Sequence, residues 1–112
     1  MWSLNLNEMP TAVGAAAQVT RLALSAPSPN PSRDGVMLSL SLPYPQRVTA
    51  EVFGIDGRRI RLLAQDEPLT AGTHGLAWDG RDRLGGRVSA GIYLVRVKAE
   101  SGSGIAKLTM IR

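Results

Sequence analysis

An all-β fold is the class this sequence predicts: a seven-stranded antiparallel sandwich of immunoglobulin-like type with an irregular N-terminal tail. Three observations predict it. Apolar and polar residues alternate with a period of two, most clearly in Val36-Met37-Leu38-Ser39-Leu40-Ser41-Leu42. Clusters of Gly, Pro, Asn and Asp interrupt the chain at intervals of roughly 8–12 residues, the spacing of short sandwich strands. No segment repeats its apolar residues convincingly at helical spacing. The chain has 112 residues, one domain's worth, and its 12 glycines and 7 prolines supply the turns.

Residues 1–19 stand apart. Trp2, Leu4 and Leu6 alternate with Ser3, Asn5 and Asn7, Met9-Pro10 ends that pattern, and an Ala-rich stretch follows. This reads as a linker or the end of a preceding domain, with the domain proper over residues 20–112. A short apolar run at 21–25 stops at Pro27-Ser28-Pro29-Asn30-Pro31, whose prolines favour an extended, polyproline-like crossing. The strand at 36–42 puts Val36, Leu38 and Leu40 on its inner face. After Pro43-Tyr44-Pro45, the strand at 47–53 turns Val48 and Val52 inward, with Phe53 out of register. Asp56-Gly57 predicts a two-residue type I′ hairpin. Its return strand, 58–64, places Ile60 and Leu62 in the core, and residues 65–71 form a polar connection. Leu76 and Trp78 share the inner face of a strand at 73–79. A loop at 80–86 leads on to a strand at 91–99, a turn at Ser101-Gly102-Ser103-Gly104 and a last strand at 105–111.

Composition excludes several kinds of chemistry. The formal charge is +4, from 13 basic and 9 acidic residues that interleave along the chain. The densest basic groups, Arg58/Arg59/Arg61 and Arg81/Arg83/Arg87, lack the stacking aromatics or reading helix of a nucleic-acid binder, so no nucleic-acid partner is expected. There is no cysteine, hence no disulfide, thiolate metal site or cysteine nucleophile. No apolar run approaches the ~18 residues of a membrane-spanning helix. Residues 1–24 lack the basic and apolar regions of a signal peptide, so an export signal is expected upstream in a longer parent chain.

Catalytic and binding motifs are sparse. His74 is the single histidine, with no serine and carboxylate at the spacing of a triad. Asp79 and Asp82 are weak candidates for calcium; Arg81 and Arg83 between and beside them oppose a cation, and Asp side chains capping a tight loop are the simpler reading. The glycine pairs fit no phosphate-binding spacing. Trp78 could be a sugar-stacking platform, but its register with Leu76 favours the core. No cofactor and no enzymatic activity are expected.

The motif order from Ala26 to Arg112 resembles the FlgD-like immunoglobulin-fold domains and the related C-terminal sorting domains of type IX secretion cargo. The resemblance rests on Pro29-Asn30-Pro31, on Val48-Thr49-Ala50-Glu51-Val52-Phe53 followed by Asp56-Gly57-Arg58, and on Ala71-Gly72-Thr73-His74-Gly75-Leu76-Ala77-Trp78-Asp79-Gly80. It continues through Gly85, Val88 and Ala90-Gly91-Ile92-Tyr93 to a basic-ended last strand, Lys107 to Arg112. Ser32 stands where the family often carries an aromatic. The resemblance implies a non-catalytic sorting or anchoring module, secreted or at the cell surface, bound by outer-membrane secretion and sortase proteins. Carried over by motif, the contact residues would be Pro29, Asn30, Pro31, Gly91, Tyr93, Lys107 and Arg112. An unpaired edge strand could join a partner's sheet. The alternatives are a structural assembly domain of the FlgD hook-capping type, working by self-association, and a carbohydrate-binding sandwich using Trp78.

Overall fold

The computed structural model describes residues 21–111, so the expected linker over 1–19 and the candidate contact Arg112 lie outside the described residues. Among the described residues seven strands follow one another: β1 (Ala23–Leu24), β2 (Val36–Leu42), β3 (Gln46–Gly54), β4 (Arg59–Leu69), β5 (Gly72–Trp78), β6 (Gly91–Ala99) and β7 (Gly102–Met110). They form two antiparallel sheets, three-stranded β1-β2-β5 and four-stranded β4-β3-β6-β7, and the described residues contain no helix. This is the immunoglobulin-like sandwich.

The core fills the space between the sheets. Val36, Leu38 and Leu40 are buried from β2, Leu76 and Trp78 from β5, and Val48 and Val52 from β3; Val95, Val97 and Leu108 complete it from β6 and β7. These side chains follow the pleat, because residues two apart on a strand share a face. Trp78 is 2 % exposed and its ring lies 5.5 Å from that of Tyr93.

Four local expectations need correction. The first is the Asp56-Gly57 hairpin. Gly57 has φ +87°, but Asp56 is not left-handed, so the turn is not type I′. Instead the Gly57 N–H donates to Gly54 O at 2.9 Å and the Gly54 N–H to Arg58 O at 2.9 Å. Asp56 Oδ1 accepts from the Arg58 N–H at 3.1 Å, which suits a turn of type I closed by a left-handed glycine.

The second correction concerns β4, which runs on to Leu69 through the supposed polar connection. It does so by bulging: its register against β3 slips near Ile60, near Leu63 and again near Asp66, which has φ +48°. Each slip inserts a residue and swaps the faces of those beyond it. Leu62 therefore pairs with Glu51 on the outer face, outside the core to which alternation assigned it. Ile60 and Leu63 pack against the core.

The third is the glycine-rich run 101–104. The hairpin is tighter, with Ala99 paired to Gly102 across Glu100-Ser101, and the glycines belong to β7. A Cβ on Gly104 would lie 3.3 Å from the Leu24 side chain, so its bareness lets β1 close over β7. Finally, the proline segment is not a polyproline-like crossing, since the Ser28–Pro29 and Asn30–Pro31 bonds are both cis.

Candidate interaction surface

The proline segment joins the two sheets. Ser28 exchanges backbone hydrogen bonds with Met37 of β2 at 3.0 and 2.9 Å. Four residues later, the Ser32 N–H donates to Thr109 O at 2.9 Å, and the Ile111 N–H donates to Ser32 O at 2.8 Å. Between them the Asn30 side chain accepts from the Thr109 N–H at 2.9 Å and donates to Lys107 O at 3.5 Å. Residues 30–32 thus occupy the outer edge of β7 from Lys107 onward. That half of the edge is closed to strand addition, a role that only pairing reveals. Ser32 is buried; its hydroxyl accepts from the Gly35 N–H at 3.0 Å and contacts Gly35 O, so a polar turn stands where the family often has an aromatic.

The Trp78-Asp79-Gly80 run is a staple. Trp78 Nε1 donates to Arg81 O at 2.9 Å, and Arg61 donates to the same carbonyl at 3.2 Å. Asp79 Oδ1 accepts from Arg61 at 2.9 Å and from the Arg81 N–H at 3.0 Å. Asp82 Oδ1 caps the N–H groups of Leu84 and Gly86, both at 3.0 Å. The two aspartates thus hold loop backbone and an arginine, and no cluster of metal-ligating groups occurs among the described residues. Arg81 reaches Gly85 O at 2.8 Å, and Arg87 reaches Asp34 at 2.9 Å, so these arginines too are spent on loop structure. His74 donates from Nε2 to Thr70 O at 2.8 Å. The buried indole leaves no stacking face for a sugar.

Of the candidate contact residues, Gly91 opens β6 opposite Met110. Tyr93 points into the core and donates to Ser89 O at 2.7 Å, fastening the strand's start to the residue four before it. Lys107 lies on the other side of the four-stranded sheet, exposed and opposite Leu94. Asn30 and Lys107 are brought together; Tyr93 and Lys107 face opposite ways.

A cluster that sequence reasoning missed lies on that outer face. Glu51 is 9 % exposed, with Oε2 accepting from Arg59 and Oε1 from Arg96, both at 3.1 Å. The Arg96 guanidinium sits 4.6 Å over the Phe53 ring. Burial pushes the Glu51 carboxyl up, but the hydrogen bonds and charges of Arg96 and Arg59 outweigh it and hold the carboxyl below its usual value. Cross-strand register brings the three together, and single-strand alternation carries no sign of it.

A carboxyl held low stabilises the fold above its unfolded pKa, and that support is lost as pH falls through the folded value. Solvent reaches both guanidinia, so Glu51→Gln should cost about 1–2 kcal/mol at pH 7. The gap to wild type should close as pH falls below about 4.3, the ordinary glutamate value. Urea midpoints of both proteins from pH 7 to pH 3 check this; a gap that stays constant would contradict it.

The comparisons with known proteins agree with this geometry. A family model described as the FlgD Ig-like domain matches residues 35–103. No curated protein sequence matches the chain. Among solved structures, PorZ of Porphyromonas gingivalis, described as an essential bacterial surface component of the type-IX secretion system, is similar at 24 % identity and a TM-score of 0.50 over 88 % of this chain. Dimeric latent PorU from the same organism is similar at 17 % identity and a TM-score of 0.61 over 92 % of this chain. The chain spans only 12 % of PorZ and 10 % of PorU. FlgD from P. aeruginosa is similar at 20 % identity and a TM-score of 0.57, over 82 % of this chain and 78 % of that one. At these identities the likeness is one of fold. With the family match covering well over half of its length, the chain belongs to the FlgD Ig-like domain family.

Proposed function

We propose that this domain is a non-catalytic recognition module, handled by type IX secretion proteins, that sorts or anchors a secreted bacterial polypeptide at the cell surface. The observation that carries the reading is the likeness, over most of this chain, to part of a surface component of that system. The site chemistry supports it: the single histidine hydrogen-bonds a backbone carbonyl, and the aspartates cap turns. No helix among the described residues is long and apolar enough to cross a membrane. The test is to fuse the 112-residue chain to the C-terminus of a periplasmic reporter in a bacterium with a type IX system. The reporter should reach the surface or medium; a reporter left in the periplasm sinks the reading.

The FlgD fold match, which extends over most of that chain, favours a second reading: a structural assembly domain working by self-association. It predicts a concentration-dependent oligomer of the purified chain, together with no export of the reporter.

A further inference from the structure

The outer face of the four-stranded sheet is a grid of cations and apolar side chains. Register sets Arg59, Phe53, Leu94 and Lys107 in one row across β4, β3, β6 and β7. The adjacent row holds Leu62, Glu51, Arg96 and Ile105, and beyond it Lys98 stands beside Thr49. Four cations share these rows with two carboxylates: Glu51, whose oxygens are taken by Arg59 and Arg96, and Asp66 beside Thr49, which lies 3.6 Å from Arg47; Glu100 stands at the end of the Lys98 row. Lys98 and Lys107 make no ion pair with any described residue. Ile105 is 65 % exposed between them, while Leu94, Leu62 and Phe53 are half-buried.

We propose that this face is a docking surface for an acidic, extended segment of a partner protein, with carboxylates on Lys98 and Lys107 and apolar side chains over Leu94 and Ile105. Charge selects the occupant. A second copy laid face to face would oppose these lysines and arginines with their own kind, at a cost in affinity. A nucleic acid would need an open aromatic platform, and Arg96 covers Phe53. A bilayer would need several protruding apolar side chains, whereas Leu94, Leu62 and Phe53 sit low among the charges. An extended segment suits the surface because every second side chain faces it, at about the pitch of the rows beneath.

The inference rests on the reading of the domain as a protein-recognition module. It is tested on the purified 112-residue chain, so it and the cellular export test can fail separately. The probe is a synthetic peptide repeating Glu-Ser-Val-Ser, which sets Glu and Val in turn on one face of an extended chain, with a control in which every Glu is replaced by Gln. Titration is followed by amide NMR shifts. The acidic peptide should move residues of β6 and β7 around Lys98, Ile105 and Lys107. Binding should weaken about tenfold with the Gln peptide, and by a similar factor in Lys98→Glu/Lys107→Glu. The variant Met37→Glu/Thr73→Glu adds negative charge to the exposed face of the other sheet and should bind like wild type. Equal weakening in both variants, or shifts centred on the loops, overturns the proposal. So does a response of this face to phosphatidylglycerol vesicles or to protein concentration in place of the peptide.

Discussion

Trp78→Ala is expected to destabilise the domain by about 3–5 kcal/mol, the range for deleting a buried aromatic side chain. Three losses combine. The indole is among the largest fully buried side chains, so its removal leaves a cavity between the sheets. Tyr93, whose ring is 5.5 Å away, loses its neighbour. The Arg81 carbonyl loses the Nε1 donor that ties the Asp79–Gly80 turn to the core, retaining only Arg61. Small domains are stable by only about 5–15 kcal/mol, so this one change removes a large share. Trp78→Phe keeps a ring in the cavity but loses the donor, and should recover part of the loss. Urea unfolding of the three proteins decides the matter: a midpoint shift at constant slope is expected, and a Trp78→Ala protein within about 1 kcal/mol of wild type would contradict the core assignment.

Gly35→Ala should cost about 3 kcal/mol, at the upper end for overpacking, although it adds one methyl group. The added Cβ would stand 2.3 Å from Trp78 O and 3.1 Å from Asp79 Cα. Both are backbone atoms of the turn that the indole anchors, so no side chain can rotate aside to relieve the contact. The Ser32 hydroxyl also grips Gly35 through its N–H, which limits movement on the other side. Gly75→Ala is the matched control. It lies in β5 with nothing within 4 Å of its Cβ position, and its effect should stay within about 0.5 kcal/mol. Thermal unfolding of the pair separates crowding from any general effect of replacing glycine; equal shifts would rule out the close approach as the cause.

Trp78 belongs to the motifs that carry the family resemblance and Gly35 does not, and the two illustrate what was legible. The tryptophan's register with Leu76 already assigned it to the core. Nothing in the sequence singles out Gly35; only the proximity of a strand end 43 residues away in sequence shows why a side chain is excluded. Asn30 is similar. The family resemblance offered it as a contact with another protein; in the structure its amide mends the edge of β7. A polar side chain that substitutes for a strand's backbone leaves no periodic trace.

Local alternation and turn chemistry were enough to determine the all-β class, the bounds of β2 and β6, and the inward set Val36, Leu38, Leu40, Val48, Val52, Leu76 and Trp78. Those choices rest on interactions within a few residues and on burial of one strand face, and a period of two encodes both. The tertiary structure decided the bulged course of β4, the exclusion of Leu62 from the core, the sealing of half the β7 edge, and the union of Glu51 with Arg59 and Arg96 beside the unpaired Lys98 and Lys107. All four depend on which strand lies beside which and in what register. Pairing partners far apart in the chain set these, and one inserted residue reverses which face a side chain meets.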